Sequence, residues 1–260
     1  MISSSLHITL VQPDTAWEKP EENFRRIDQL LSVSSGEDLI VLPEMWSTGF
    51  SMRPELIAES NEGPALQWMK DKAKQKNTVI TGSVSVEEDN QYFNRCYFAF
   101  PDGEVVFYNK RHLFSYGKED QHYTTDSDQV VVEIKGWKIR PVICYDLRFP
   151  VWCRNTDAYD LLVVVANWPI PRIHHWDALL KARAIENQSY VVAVNRTGTD
   201  GNGLEYNGHS SVYDMNGTQL VFMNEQEGLT SIILNRHQLN TFREQFRFLQ
   251  DRDHFNIQTQ

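Results

Sequence analysis

Hydrophobic residues along this chain fall into two spacings. Leu6 to Gln12 predicts a first strand, and Leu39 to Leu42 a short, wholly apolar one, as expected in a sheet covered on both faces. Pro20 to Ser32 predicts a helix, with proline at its start and Phe24, Ile27 and Leu31 at helical spacing. Pro64 to Lys76 predicts a second helix, with Leu66, Met69 and Ala73 on one side. Thr78 to Val86 and Tyr92 to Phe100 read as paired strands, and the turn Pro101-Asp102-Gly103 leads into a strand over Glu104 to Asn109. Val130 to Ile134 and Trp137 to Ile143 flank Lys135-Gly136 as a hairpin.

Pro150 to Asn155 starts a short helix, Leu161 to Ala166 is a buried strand, and Tyr190 to Val194 another. Between the last two, His174 to Asn187 predicts a helix with Trp176, Leu179, Leu180 and Ile185 turned inward. Segments at Ser211, Gln219 and Thr230 predict strands, with turns at Asn216-Gly217 and Glu227-Gly228. A final helix is predicted near Leu234 to Phe246. His112 to Asp128 has no period; it is polar and aromatic, and so long a loop in a compact domain is usually functional or mobile. The order mixes βα units with hairpins. That predicts an α/β protein with mixed sheets, two of them stacked between helix layers. No repeat or low-complexity linker divides residues 1–260, so one domain is expected.

Composition narrows the function. The chain has 25 basic and 35 acidic residues, a formal charge of −10, which argues against nucleic acid or an anionic membrane as a partner but not against a small anionic substrate in a local pocket. With 41% hydrophobic residues it can bury a core without a metal or disulfide staple. Cys96, Cys144 and Cys153 cannot all pair, Met1 to His7 lacks the basic start and apolar run of a signal peptide, and no segment approaches a membrane span. A reducing cytoplasm is the expected compartment.

Three strand ends carry chemistry. The run Trp137 to Ile143 stops at Cys144 and is followed by the polar turn Tyr145-Asp146-Leu147-Arg148. Asp38 to Pro43 ends at Glu44, and Glu104 to Asn109 ends at Lys110. In α/β sheets ligands bind at strand carboxyl ends. If these strands are neighbours, one pocket holds a nucleophile, a general base and an oxyanion stabiliser. A thiol of ordinary pKa about 8.5 needs a nearby base or cation to raise its thiolate fraction. Glu44 can take the proton and return it to a leaving amine, Lys110 can favour the thiolate and donate to the oxyanion, and the N–H of Tyr145 is the natural second donor. Neither metal nor organic cofactor is needed.

These residues lie in five motifs: Leu42-Pro43-Glu44-Met45, Lys110-Arg111-His112-Leu113-Phe114, Cys144-Tyr145-Asp146-Leu147-Arg148-Phe149, Ala166-Asn167-Trp168-Pro169, and Lys181 to Gln188. In this order the chain resembles the nitrilase (carbon–nitrogen hydrolase) superfamily from His7 to about Phe246, and within it the ω-amidase branch. The resemblance implies a four-layer α-β-β-α sandwich. It also implies a cysteine amidohydrolase acting through a thioester on Cys144, and a small-molecule substrate such as 2-oxoglutaramate or 2-oxosuccinamate. A homodimer is implied as well. It further implies a second glutamate on the loop after the lysine, matched by Glu119, with Asp120 one position away. Carbamoyl or aliphatic amides, nitriles, and binding without turnover are the competing readings.

Other residues read more plainly. Trp46, Phe50, Phe114 and Trp168 follow the strand ends closely enough to line the pocket. Arg172 is the candidate for the substrate carboxylate, with Arg148 either an alternative or a brace paired to acidic groups. Cys96 and Cys153 read as structural, and His112 and His209 as hydrogen-bonded structural residues. His174-His175 lacks metal-ligand spacing with other donors, and Asp200-Gly-Asn-Gly203 is a turn, not a phosphate loop.

Overall fold

A computed structural model of the chain describes residues 3–258. Met1 and Ile2, which begin the segment weighed as a leader, lie outside the described residues, as do Thr259 and Gln260 at the end of the expected domain. The first half runs β1 (Ser5–Gln12), α1 (Pro20–Leu31), β2 (Leu39–Val41), α2 (Pro54–Ile57), α3 (Pro64–Lys76), β3 (Val79–Glu88), β4 (Gln91–Ala99) and β5 (Val105–Asn109). Next come β6 (Val132–Ile134), β7 (Trp137–Ile143), α4 (Pro150–Cys153), β8 (Leu161–Val165), α5 (Ile173–Asn187) and β9 (Tyr190–Val194). The chain then runs β10 (Thr197–Thr199), β11 (Glu205–Asn207), β12 (Ser211–Tyr213), β13 (Gln219–Phe222), β14 (Gly228–Asn235) and α6 (Arg236–Gln245).

Two six-stranded sheets result, ordered β14-β1-β2-β3-β4-β5 and β13-β12-β9-β8-β7-β6. Each has a parallel centre (β1-β2-β3 and β7-β8-β9) flanked by antiparallel strands. The period of two along each strand sorts side chains between layers. Leu39 and Val41 of β2 join the large core shared with β7, β8 and β9, while Ile40 and Leu42 join a second core with Phe24, Ile27 and Leu31 of α1 and Leu66 and Met69 of α3. On the other side Trp176, Leu180 and Ala184 of α5 and Leu239 of α6 complete the large core. The layers are therefore α-β-β-α, as the resemblance implied. All three cysteines are free, so apolar burial holds the layers together.

Several expectations need correction. Ile185 is not inward: it is 48% exposed, and Arg183 and Asn187 take the buried stripe of α5. Leu234 belongs to β14, and the last helix begins at Arg236. The segment after Pro150 makes one helical turn only. The hairpin β10-β11 was not anticipated. Its strands are three residues each, too short for a periodic signal, and they bracket the Asp200–Gly203 turn.

Candidate active site

Both sheets send strand ends to one cavity of about 390 Å³. Glu44 lies three residues past β2 and Lys110 directly after β5, in the first sheet. Cys144 follows β7 and Asn167 lies two residues past β8, in the second. Because β7 and β8 are parallel neighbours, their carboxyl ends open on the same side.

Cys144 stands on a strained corner. Its φ is +44°, a left-handed conformation that costs a residue with a Cβ about 1 kcal/mol or more. Asp146 holds the corner. Its Oδ2 accepts from the Ile143 N–H at 3.0 Å and from the Tyr108 hydroxyl at 2.7 Å, and its Oδ1 accepts from the His112 N–H at 2.8 Å. The His112 ring packs flat on Phe149, centroids 3.6 Å apart, with Nδ1 2.9 Å from Asp146 Oδ1. Thus His112 is part of the brace. Tyr145 lines the cavity and lies in the first turn after the corner, where backbone N–H groups have no partner inside the turn.

Beside the thiol is a fully buried charge cluster. The Lys110 ammonium donates to Glu44 Oε1 at 2.8 Å and to both oxygens of Glu119, at 3.0 and 2.9 Å. Glu119 Oε2 also accepts from the Phe114 N–H at 2.6 Å, and Glu44 Oε2 from the Asn167 N–H at 2.8 Å. Asp120 is exposed, so Glu119 is the acidic residue that this loop turns inward. Burial works to lower the Lys110 pKa, but the charges of Glu119 and Glu44 override it and hold the ammonium well above its ordinary value. Burial raises the Glu119 carboxyl, opposed by Lys110.

Burial and nearby charges act together on the thiol's acidity. Burial first, and then the Glu44 charge, push the Cys144 thiol well above its ordinary value despite the nearby Lys110. Lys110 pulls the other way, toward the thiolate, without outweighing them. Burial also pushes Cys96 and Cys153 up to about 12. Acidity does not distinguish the three. What distinguishes Cys144 is that it opens on the cavity, with Sγ 3.9 Å from the Asn167 carbonyl and close enough to Glu44 and Lys110 to feel both charges.

The other candidates divide. Phe50, Phe114, Tyr145, Trp168 and Arg172 all line the cavity. Trp46 does not: it is buried against Phe24 and Trp68, centroids 5.3 and 4.8 Å away. Its strand-end position suggested the pocket, but the turn at Met45 (φ +41°) sends it to the helix side. Arg148 also lines the cavity. Rather than meeting an acidic group, it lies 4.8 Å over the Trp168 ring and donates to His175 Nδ1 at 3.0 Å. Arg172 lies 5.2 Å over the Phe114 ring. Asp200, the one acidic lining residue among the described residues, has its Oδ2 taken by the Tyr206 hydroxyl at 3.0 Å and its Oδ1 by the N–H groups of Asn202 and Leu204.

Sequence reasoning missed Asn94, Asn167 and Asn195 as site residues. The Asn167 amide donates to the Glu44 carbonyl at 2.6 Å, and Asn195 clamps the Trp168 backbone through two hydrogen bonds. A buried asparagine at an inward strand position or strand end is the signal that was available.

The carbon-nitrogen hydrolase family profile matches residues 7–244, and the chain belongs to that family. It is a hydrolase of carbon–nitrogen bonds other than peptide bonds. It is 45% identical over 255 residues to omega-amidase YafV of Escherichia coli strain K12, covering 97% of this chain and 98% of the relative. It is 36% identical over 228 residues to the 2-oxoglutaramate amidase of Bacillus subtilis strain 168, covering 85% and 88%. Among solved structures, XC1258 from Xanthomonas campestris, a CN-hydrolase superfamily protein with an arsenic adduct in its active site, superposes with a TM-score of 0.95 at 42% identity. That superposition covers 98% of this chain and 100% of the other.

Proposed function

We propose that the protein is an ω-amidase. It cleaves the terminal amide of small 2-oxo dicarboxylic acid monoamides, such as 2-oxoglutaramate or 2-oxosuccinamate, and releases ammonia. The observation that carries this reading is the buried Glu44–Lys110–Glu119 cluster beside Cys144, facing a cavity that also holds two arginines without carboxylate partners among the described residues. The 45% identity to an omega-amidase supports the choice of substrate class.

In the first half-reaction Cys144 Sγ attacks the amide carbon as its proton passes to Glu44. Charge on the carbonyl oxygen is met by the Lys110 ammonium and the Tyr145 N–H. If Glu119 shares one ammonium N–H between its two oxygens and Glu44 takes another, a third remains for the oxyanion. Glu44 then protonates the nitrogen, the C–N bond breaks, and ammonia leaves a thioester. In the second half-reaction water attacks the thioester while Glu44 accepts its proton. The C–S bond breaks, and the proton returns to sulfur. Because burial and the Glu44 charge favour the protonated thiol, Glu44 takes the proton during attack, which makes its placement decisive.

The substrate's far carboxylate goes to the arginine side. Arg172→Ala is expected to lower kcat/KM for 2-oxo-ω-amido acids roughly a hundredfold, on the order of the 2–5 kcal/mol such a desolvated pair is worth, and to leave a neutral aliphatic amide nearly unaffected. Ammonia release measured on both substrates checks this. Equal losses would make Arg172 structural, and no loss on either would pass the role to Arg148. Turnover is also expected to persist in EDTA, because nucleophile, base and oxyanion donors all come from the chain. Loss in EDTA with recovery by one divalent ion would contradict the scheme.

We further infer that the chain works as a single catalytic unit and as a homodimer in the cytoplasm, without nucleic-acid or membrane partners. No helix among the described residues is long and apolar enough to cross a membrane.

A further inference from the structure

The middle of β4 presents a buried amide to both carboxylates of the site. Asn94 Nδ2 donates to Glu44 Oε1 at 2.8 Å and to Glu119 Oε1 at 3.2 Å. Its other end is pinned. Ser83 Oγ accepts from the Met45 N–H at 2.9 Å, so its own hydrogen is free to go to Asn94 Oδ1, 2.7 Å away. That chain of donors sets the orientation of the amide, with its NH₂ toward the glutamates. Asn94, Ser83, Glu119 and Lys110 are each 0% exposed and Glu44 1%, so no solvent replaces a missing donor.

Two carboxylates and one ammonium in a dry pocket leave one negative charge in excess. Without the amide the pair keeps Lys110, the Asn167 N–H on Glu44 and the Phe114 N–H on Glu119, and has more reason to take up a proton; a protonated Glu44 cannot receive the one from Cys144. A primary amide suits the gap: it offers two N–H groups from one nitrogen without adding charge, one for each carboxylate. The other titratable groups facing the pair are Lys110, Cys144 and Tyr123, whose hydroxyl is 3.1 Å from Ser85 Oγ and donates to the Ser51 carbonyl at 3.0 Å. Tyr123 is thus committed elsewhere.

We propose that Asn94 is a positioning residue that bridges Glu44 and Glu119, keeps both ionised, and presents Glu44 as the base, with Ser83 locking the amide. This rests on the reaction proposed for Cys144 and Glu44. The test is the pH dependence of kcat and KM for Asn94→Ala, with Ser83→Ala alongside. Donors to a carboxylate favour its ionised form, so removing them moves the acidic limb of the kcat profile to higher pH. Asn94→Ala is expected to lose kcat by up to about tenfold on the acidic side of the profile, the most that a shift of about one unit can give, and to recover as the pH rises, with KM little changed. Ser83→Ala should shift the same way by less, and it carries the test if circular dichroism shows Asn94→Ala unfolded. An unmoved limb, a uniform loss at all pH values, or a change confined to KM would overturn the assignment. Intact-mass measurement of quenched wild-type turnover separates the two levels. An absent acyl adduct on Cys144 counts against the reaction itself, whereas an adduct with an unmoved limb counts only against Asn94.

Discussion

Cys144→Ala is expected to abolish ammonia release, by more than about 10⁴-fold, while the fold persists. The physical reason is that a methyl group has no lone pair to form the thioester, and no second thiol can substitute. Cys96 lies in β4 with Sγ 3.4 Å from Thr81 Oγ1, and Cys153 is buried 3.4 Å from the Asp146 carbonyl. Neither lines the cavity. Removing sulfur from the strained corner costs little packing, so the thermal midpoint should change little. Cys96→Ala, as the control, should keep its activity. Residual wild-type turnover in Cys144→Ala would sink the thioester route. A mass increment matching the acyl group, on the wild type and missing from the variant, would support it directly.

The second large effect is expected at Lys110, in both activity and stability. Lys110→Met keeps most of the side-chain volume but leaves Glu44 and Glu119 facing each other in a site without solvent. Breaking a buried ion pair by removing one partner typically costs about 3–5 kcal/mol. Here the lost ammonium serves two carboxylates, so a denaturation midpoint clearly below wild type is expected, with kcat/KM down by about 10³-fold or more. Lys110→Arg tests shape with charge retained. The guanidinium is planar and bulkier, and Lys110 is wholly enclosed, so overpacking of about 1–3 kcal/mol is expected together with near-complete loss of turnover. If Lys110→Arg retained wild-type kcat, a positive charge alone would be sufficient and the geometric account of the oxyanion site would fail. Measuring the denaturation midpoint and ammonia release on the same preparations separates a broken site from an unfolded one.

Much of the site was legible because its chemistry sits at strand ends. Glu44, Lys110 and Cys144 each follow an apolar run that stops abruptly, and a polar residue at such a stop stands out in a linear reading. Glu119 and Asp120 did not separate, because adjacent loop residues of the same type carry no periodic cue; the 3₁₀ turn at Glu119–Gln121 sends one inward and leaves the other in solvent. Asn94 was missed for the opposite reason. It sits inside a good strand pattern, where one polar residue among Cys96, Phe98 and their neighbours looks like noise until Ser83 on the neighbouring strand and the two glutamates are seen to meet it. Trp46 misled for a related reason. Being next to a site residue in sequence does not mean sharing its face, and the left-handed turn at Met45 reverses the direction.

By itself, the sequence determined most of the elements, their mixed βα-and-hairpin order, the family and the residue types available for chemistry. All of these depend on local periodicity, turn residues and motif order. The tertiary structure decided which residues meet and in what electrical state. Glu44 and Lys110 are 66 residues apart, and Glu44 and Asn167 are 123 apart, yet each pair makes a 2.8 Å hydrogen bond. Those contacts depend on strand register in two sheets and on how the sheets face each other. The upward shift of the thiol is a tertiary property for the same reason: it follows from how deeply Cys144 is buried and which charges lie nearby, and neither quantity exists until the layers have packed.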